Sequence, residues 1–282
     1  MNKEGWIIYQ EQDAIENESY INWFIEEAEK QQLSLKLVLR ENIQFGIKNN
    51  NLTLSSSLET AMPDFAIVRT IEPLLNLQLE QLGVAVYNSS TIASICNHKG
   101  RTHFEVNKLN IPMVDTYFYK RELLLNPPLK FPFVIKEASG RGGKQVYFIQ
   151  NEDDWKNCIA SISTTDVIVQ DSNVQLGKDL RVFVVGKIII GAVLRESSND
   201  FRANFKLGGT ARLYELNSQE KEIIEKIVHH FEFGMVGIDF LLDSDGNLLF
   251  NEIEDVVGSR TLSHVSDINI VEKYVEHIKR NC

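Results

Sequence analysis

The chain has 282 residues, of which 43% are hydrophobic, and its formal net charge at pH 7 is −10. This length and apolar fraction are enough for one large domain, or two to three small ones, each with a hydrophobic core. The negative charge argues against a general nucleic-acid-binding protein, which is normally basic, but it does not forbid a local basic pocket.

The cysteines and the N-terminus indicate where the protein acts. Cys96, Cys158 and Cys282 are far apart and odd in number, which fits neither a disulfide framework nor a zinc-binding spacing. The N-terminal segment is too polar for a signal peptide, and no apolar run reaches the roughly 18 residues of a membrane-spanning helix. We therefore expect a cytoplasmic protein that binds neither membranes nor nucleic acid.

In the first third of the chain, short apolar segments alternate with helical patterns. Strands are predicted for GWIIYQ, SLKLVLR, FAIVR and VAVYN, and helices for ESYINWFIEEAEKQQL and PLLNLQLEQLG. Strands that alternate with helices favour a parallel sheet. Between them, NIQFGIKNNNLTL predicts a small hairpin with an asparagine-rich turn.

The rest of the chain begins with one helical pattern, SSTIASICNHKGRTHFEVNKLN, and continues mostly as strands. The predicted strands are IPMVDTYFY, FVIKEA, KQVYFI, VIVQD, DLRVFVVG and KIIIGAVLRE, the last two joined as a tight hairpin. SQEKEIIEKIVHHFE is an amphipathic helix, with its apolar residues on one face. The hairpin MVGIDFLLDSDGNLLFNEIE, whose turn is marked by Asp-Gly-Asn, and the helix INIVEKYVEHIKR complete the prediction.

Lys136 lies within the apolar strand FVIKEA, just before the glycine-rich loop SGRGGK. An unpaired buried charge is costly, so Lys136 either faces water from an edge strand or meets an anion. Gly140, Gly142 and Gly143 permit backbone angles at which successive N–H groups converge on an anion, although a plain hairpin turn would explain them too. The loop has neither the spacing nor the strand-to-helix context of a P-loop. Together, lysine and loop predict a phosphate clamp.

Three carboxylates are predicted to share one face of the C-terminal hairpin. Asp239 lies in the apolar run VGIDFLL, and Glu252 and Glu254 are two residues apart on the returning strand, so these two point to the same side. Without a cation, such a cluster would have strongly raised pKa values. Its oxygen ligands suit Mg²⁺, which often binds a few carboxylates together with nucleotide phosphates. A solvated acidic face is the alternative.

A third group is basic and lies on a strand and the loop that follows it. Arg181, Arg202 and Lys206 carry the charge, with Asn204 and Gly208–Gly209 beside them. Arginine binds phosphate or carboxylate through two parallel hydrogen bonds. Each residue alone is explained as a surface charge, but next to a magnesium–phosphate site they become candidates for transition-state stabilisation.

From about Phe65 to Ile278, five motifs in order along the chain resemble the ATP-grasp superfamily, specifically the RimK-type carboxylate–amine ligases. The motifs are NHKGRTHFEVNKLNIP, PFVIKEASGRGGKQV, VIVQD, DLRVFVVGKIIIGAVLRESSNDFRANFKLGGTA and the hairpin GIDFLL…LLFNEIE. The resemblance implies an α/β (α+β) ATP-grasp fold in three parts. These are a pre-ATP-grasp α/β domain at residues 1–90, a small lid subdomain at 91–170, and a larger sheet subdomain with the metal site at 171–282.

The resemblance also implies roles for individual residues, with ATP and Mg²⁺, or Mn²⁺ in its place, as the cofactors. The implied nucleotide-binding residues are Lys99, Lys136, Ser139, Gly140, Gly142, Gly143, Gln170, Asp171, Asp179 and Asn204. Among them, Gln170 and Asp171 would lie at the adenine. The implied metal ligands are Asp239, Glu252 and Glu254, and the implied catalytic residues are Arg181, Arg202 and Arg260.

The implied activity is an ATP-dependent ligase that forms an amide or peptide bond through an acylphosphate, acting on an amino acid or a peptide. A homo-oligomer, dimer or tetramer, is expected because related ligases form them. Two alternatives stay open: a maturase that forms ester or amide crosslinks in a ribosomal peptide, and a non-catalytic nucleotide-binding regulator. The regulator would be marked by loss of the phosphate lysines or metal carboxylates, and Lys99, Lys136, Asp239 and Glu252 are all present.

Two departures from the family pattern stand out. Glu254 occupies the position of the family's usual asparagine, and the segment DVVGSRTLSHVSDIN does not match the usual small-residue loop after the metal motif. Arg260 lies in this segment, and we hypothesise that it binds a substrate carboxylate, with a surface arginine as the alternative. His103 and His264 are isolated in the sequence, and no catalytic role is predicted for them.

Overall fold

The computed structural model describes residues 3–56, 61–140, 143, 145–203 and 209–282. Across these ranges the chain forms sheets of four, four and five strands, together with a two-stranded hairpin. No helix in these ranges combines the length and the apolar character that crossing a bilayer requires.

The first sheet is parallel, as the alternating pattern predicts. Its strands are β1 Glu4–Tyr9, β2 Ser34–Leu39, β5 Phe65–Val68 and β6 Ala85–Tyr87, and β3 Ile43–Lys48 and β4 Asn51–Ser56 form the predicted hairpin. Helices α1 Glu11–Glu16, α2 Glu18–Lys30 and α3 Pro73–Gln81 connect them. The strand order is β2-β1-β5-β6. Helices cover the sheet, which explains why the strands are nearly continuous apolar runs.

The middle sheet is antiparallel and is preceded by two short helices. The helices are α4 Ser90–Cys96 and α5 Lys99–Asn107, the strands are β7 Thr116–Lys120, β8 Phe133–Glu137, β9 Val146–Ile149 and β10 Asp166–Asp171, and α6 is Glu152–Ser161. The single helix predicted from the sequence is divided because the His98 side chain caps α5 and accepts a hydrogen bond from the Arg101 amide. The strand order is β7-β10-β8-β9. Lys136 therefore lies on an interior strand, and the edge-strand alternative for it is wrong.

The third sheet is antiparallel, with the strand order β13-β12-β11-β14-β15. Its strands are β11 Lys178–Val185, β12 Ile188–Glu196, β13 Thr210–Tyr214, β14 Met235–Leu242 and β15 Leu248–Glu254, and the helices are α7 Ser218–His230, α8 Arg260–Val265 and α9 Ile270–Asn281. The predicted tight hairpin joins β11 to β12 through a two-residue turn, where Gly186 has a φ of 56°. Glycine adopts this left-handed conformation without strain.

The two faces of β11 show where a site can form. Leu180, Val182 and Val184 face a core shared with α4, α5 and α7. On the opposite face, Phe183 and Val185 pack with the first sheet and α9. The two residues that precede Phe183 on that face, Asp179 and Arg181, are buried charges instead. The sheet thus has a polar end to an otherwise apolar face.

The division of the chain at residues 90 and 170 stays a prediction. Each sheet is formed by one continuous part of the sequence. However, Ile92, Cys96 and Val106 of α4 and α5 pack in the same core as the third sheet. These two helices therefore join the middle and C-terminal parts of the molecule.

Candidate active site

The three predicted metal ligands come together on the C-terminal hairpin. Strand pairing places Asp239 opposite Glu252 and Gly237 opposite Glu254. Asp239, Glu252 and Glu254 each offer a carboxylate oxygen, and these oxygens lie within 4.8 Å of one another. Carboxylate oxygens grouped in this way suit a small divalent cation such as Mg²⁺.

Two buried arginines, on β11 and β12, donate hydrogen bonds to Asp239. Arg181 donates to both oxygens of Asp239, at 2.7 and 2.6 Å, and its Nη2 also lies 2.8 Å from Glu254. Arg195 donates to Asp239 at 2.9 Å and forms two hydrogen bonds with Asp179, at 2.6 and 2.7 Å. Arg181–Asp239 and Arg195–Asp179 join adjacent strands, whereas Arg195–Asp239 and Arg181–Glu254 each reach one strand further. The network therefore spans β12, β11, β14 and β15.

The pKa values of the carboxylates reflect these neighbours. Burial acts to raise the pKa of Asp239, but Arg181 and Arg195 outweigh it and the pKa is lowered. The pKa of Glu252 is also lowered, because Lys99 and nearby cations outweigh its burial. The prediction that uncompensated carboxylates would have raised pKa values does not apply to these two groups, because the protein's own cations are in place.

Lys136 reaches this cluster from the middle sheet. It is 8% exposed, and its Nζ donates a 2.6 Å hydrogen bond to Asn251 Oδ1. Burial lowers the pKa of Lys136 to about 8, although Glu252 opposes the shift. Asn251 is the extra residue of a bulge, because Phe250 pairs with Phe240 and Glu252 with Asp239. A bulge redirects a side chain, and here it places the amide of Asn251 next to the lysine.

Lys99, at the start of α5, approaches the same carboxylates. Its Nζ lies 3.4 Å from Glu252 and donates to the backbone carbonyl of Gly140 in the glycine-rich loop. Two ammonium groups and a glycine loop thus meet next to the carboxylate cluster. Lysine side chains placed in this way can bind phosphate as point charges.

The adenine residues predicted on β10 connect to Lys99 through a histidine. Gln170 is buried, and its Nε2 lies 3.1 Å from His103 Nε2 and 2.9 Å from Thr116 Oγ1. His103 Nδ1 lies 2.9 Å from the carbonyl oxygen of Lys99, which fits a neutral ring that donates from Nδ1. Gln170 Oε1 is buried and has no hydrogen-bond partner in the described part of the chain. It is an acceptor available to a ligand.

Arg202 links the loop after β12 to the glycine-rich loop. Its Nη1 donates to the carbonyl of Gly143 at 2.5 Å, and its Nε and Nη2 donate to Asp200 at 2.9 and 2.7 Å. Arg202 is therefore near the predicted phosphate cover, not in the Asp239 network. Gly142 and Asn204, and Lys206 with them, lie outside the described residues.

Three of the predicted site residues lie outside the cluster of carboxylates and lysines. Ser139 is exposed on the loop after β8. Asp171, at the end of β10, accepts a 2.8 Å hydrogen bond from the Asn173 amide. Arg260 is exposed at the start of α8, and within the described ranges it makes no ion pair with another side chain. Its predicted substrate contact stays a prediction.

Sequence reasoning missed Arg195, Asn251 and His103. Arg195 lies opposite Asp179 only because the β11–β12 register shifts at Phe183 and Val184, so the predicted hairpin alone does not indicate it. Asn251 directly precedes a predicted metal ligand, but only the bulge directs it toward Lys136. His103 is isolated in the sequence because its partner Gln170 is 67 positions away.

Comparison with known proteins agrees with this geometry. Residues 107–278 match the family model of the RimK-like ATP-grasp domain. The chain is 29% identical over 235 residues to the glutamate–LysW ligase ArgX of Sulfurisphaera tokodaii, covering 77% of this chain and 82% of the relative. It is 26% identical over 283 residues to protein MG011 of Mycoplasma genitalium, covering 98% and 93%.

The crystal structure of a RimK-domain ATP-grasp protein from Sphaerobacter thermophilus has the same fold. It superposes with a TM-score of 0.74 at 15% sequence identity, covering 98% of this chain and 99% of that one. The predicted family and the predicted ATP-grasp fold are therefore confirmed. The chain belongs to the RimK-like ATP-grasp family and is an ATP-dependent ligase of that superfamily.

Proposed function

We propose that this ligase joins the carboxylate of one substrate to the amine of another, at the expense of ATP and with Mg²⁺, on an amino acid or a peptide. The observation that carries the proposal is the meeting of two lysines with the carboxylate cluster. Lys99 from α5 lies 3.4 Å from Glu252, and Lys136 from the middle sheet donates to Asn251, the residue before Glu252. This arrangement supports a bound polyphosphate between the two sheets.

The residues fit the cofactors that the family implies. Mg²⁺ would bind to Asp239, Glu252 and Glu254, because one carboxylate oxygen of each lies within 4.8 Å of the others. Oxygen ligands of this kind are those that Mg²⁺ prefers. When bound, Mg²⁺ would neutralise negative charge on the ATP phosphates. The unpartnered Oε1 of Gln170 is an acceptor for the adenine amino group.

The chemistry requires two transfers. A carboxylate oxygen of the first substrate attacks the γ-phosphorus of ATP, the bond to ADP breaks, and an acylphosphate forms. The amine nitrogen of the second substrate then attacks the acyl carbon, phosphate leaves, and the nitrogen loses a proton as the amide forms. Lys99 and Lys136 would stabilise the charge on the transferred phosphoryl group. Arg181 lies beside two of the metal carboxylates and would stabilise the same charge or the tetrahedral oxyanion.

The glycine-rich loop would protect the acylphosphate from water. Lys99 donates to Gly140 and Arg202 donates to Gly143, so basic residues outside the loop hold its backbone from two sides. Exclusion of water by a closing loop prevents hydrolysis of a reactive intermediate. We infer that the loop covers the phosphates during the reaction.

ADP release measured against a panel of amino acids and peptides, with and without Mg²⁺, tests the proposal. L-Glutamate and peptides that contain it lead the panel, because the Sulfurisphaera tokodaii relative is named a glutamate–LysW ligase. We expect release that requires Mg²⁺, one carboxylate and one amine, with an amide in the product by mass spectrometry. Glu252→Gln should abolish release, whereas Glu232→Gln, at an exposed glutamate beside Lys187, should preserve it.

Other outcomes of the same assay favour the alternatives. Turnover with long peptides only, giving a crosslinked product without added amine, would favour the maturase. Thermal stabilisation by ATP with no turnover of any compound would favour the non-catalytic regulator. Failure of ADP and ATP to bind at all would contradict the proposed function.

A further inference from the structure

Three arginines in the described residues are more than nine-tenths buried: Arg69, Arg181 and Arg195. Arg181 and Arg195 are paired with carboxylates of the candidate active site. Arg69 differs, because no described carboxylate lies within ion-pair distance of it. An unpaired buried cation is costly, so its presence calls for an anion that is not part of the described chain.

The contacts of Arg69 leave much of its hydrogen-bonding capacity unused. Its Nε donates to Tyr9 Oη at 3.2 Å, and its Nη2 donates to the carbonyl of Val257 at 2.9 Å. The guanidinium lies 6.0 Å from the ring centre of Tyr9 and 5.6 Å from that of Tyr20. A guanidinium carries five N–H donors. The donors on Nη1 have no acceptor among the residues that the structure describes.

Arg69 lies at the point in the first sheet where a ligand is expected. In the order β2-β1-β5-β6, the connections from β1 and β5 lead to opposite sides, so the switch in direction falls between these two strands. Tyr9 is the last residue of β1, and Arg69 directly follows β5. Open parallel sheets bind ligands beyond the carboxyl ends of their strands at such a switch point.

The carbonyl that Arg69 holds belongs to the loop after the metal hairpin. Val257 lies three residues beyond Glu254, and its Cγ2 is 2.8 Å from the position of a Cβ built on Gly237. Gly237 is the strand partner of Glu254. Arg69 is thus joined to the metal hairpin through Val257, and it makes no ion pair with the metal carboxylates among the described residues. An anion at Arg69 is therefore a different group from a phosphate at the metal carboxylates.

Space and unused polar atoms accompany the arginine. Gly258, the residue after Val257, is exposed, and a Cβ built on it would have no atom within 4 Å apart from its chain neighbours, so the loop reaches the protein surface one residue beyond the contact with Arg69. Thr70 Oγ1 is buried and lacks a hydrogen-bond partner in the described structure, and Tyr20 Oη is buried next to Ser259. Thr70 follows Arg69 directly, and Tyr20 stacks with it.

We propose that Arg69, with Thr70 and Tyr20, binds a carboxylate of the amino-acid or peptide substrate that does not take part in the bond formed. The inference rests on the proposed function, because it assumes a substrate with a second carboxylate. Arg69 would fix one end of the substrate at the first sheet, while the reacting group meets the carboxylate and lysine cluster.

Calorimetric binding to the full chain tests the inference, with each amino acid of the panel compared with its α-carboxamide, for example L-glutamate and its α-amide. The titrations are made with and without ADP and Mg²⁺. We expect wild type to prefer the carboxylate by about ten- to a hundredfold. Arg69→Gln should remove the preference and leave ADP affinity unchanged. Arg40→Gln, at a half-buried arginine paired with Glu72 in the same part of the chain, should keep it.

Several results would overturn the inference. These are a preference that persists in Arg69→Gln, no preference in wild type, equal loss of carboxylate and carboxamide binding in the variant, or binding of ADP but of no panel compound. If Arg69→Gln does not fold, the same comparison of carboxylate and carboxamide binding is made with Arg69→Lys. This variant keeps the positive charge but lacks the planar guanidinium that binds a carboxylate through two hydrogen bonds. Absence of ADP binding, with the carboxylate preference intact, would overturn the proposed function alone. Steady-state kinetics of Arg69→Gln then identify the substrate that carries the carboxylate. It is the acid or the amine substrate, whichever has the raised KM in the variant.

Discussion

Lys136 Nζ donates a 2.6 Å hydrogen bond to Asn251 Oδ1 across 115 positions of sequence. The bond joins an interior strand of the middle sheet to the bulge of the metal hairpin. A neutral amide is a weak partner for a buried ammonium, and burial lowers the pKa of Lys136 to about 8. The lysine is therefore held in position without being neutralised, which is what binding of a phosphate requires.

Lys136→Met should separate nucleotide binding from stability. We expect the affinity for ADP with Mg²⁺ to fall at least tenfold, since a charge-assisted hydrogen bond contributes about 1.5–3 kcal/mol. The free energy of unfolding should change little, because relief of the buried charge offsets the loss of its hydrogen bond to Asn251 and its attraction to Glu252. Calorimetry and urea unfolding measure the two quantities. Lys130→Met, at an exposed lysine, is the control, and unchanged ADP affinity in Lys136→Met would contradict the assignment.

The carboxylate cluster could be predicted from the sequence because its determinants are local. Residues two apart on a strand share a face, and a hairpin brings its two strands together in sequence order. The same reasoning could not identify Arg195. Its position opposite Asp179 depends on the β11–β12 register, which shifts at Phe183 and Val184. A one-residue shift in register turns a side chain to the other face.

Other parts of the site depend on contacts between distant segments. The ring of His103 contacts Gln170 on β10, and no local sequence pattern reveals this contact. Arg69 follows an ordinary apolar strand, and only the order of the strands places it at a switch point. The sequence pattern is helical throughout α4 and α5 and does not show the boundary between them, because that boundary is set by the His98 side chain, which caps α5.

Glu254, a predicted metal ligand, lies 2.8 Å from the guanidinium of Arg181. Glu254→Asn removes one negative charge from the metal cluster and one of the two carboxylate partners of Arg181, which stays bound to Asp239. We expect the Mg²⁺ concentration needed for half-maximal ADP binding to rise about tenfold, because the site loses one carboxylate charge and metal affinity depends on the charge of the ligands. Calorimetric titration of Mg²⁺ in the presence of ADP measures it. Glu222→Asn, on the exposed face of α7, should match wild type, and an unchanged Mg²⁺ requirement would show that Glu254 serves Arg181 only.

Arg260 is exposed at the start of α8, three residues after the carbonyl that Arg69 holds. If it binds a substrate carboxylate, Arg260→Ala should raise the KM for one substrate about tenfold and leave the KM for ATP unchanged. Steady-state ADP release with each substrate varied in turn measures this. Arg280→Ala, at an exposed arginine of α9, is the matched control. Equal changes for the substrate and for ATP, or no change for either, would refute the role.

His103 predicts a loss of stability in mild acid. Burial, supported by Lys136 and Lys99 and opposed by Glu252, lowers the pKa of His103 from 6.5 to about 4. Between these values the unfolded chain takes up a proton that the native protein does not, so the free energy of unfolding falls as the pH falls from 6.5 to 4. The shift corresponds to about 3 kcal/mol. In urea unfolding across this range, the free energy of unfolding should fall less in His103→Asn than in wild type, by about that amount. His229→Asn, on the exposed face of α7, should retain the wild-type decline. A decline of wild-type size in His103→Asn would mean that another group causes the acid sensitivity.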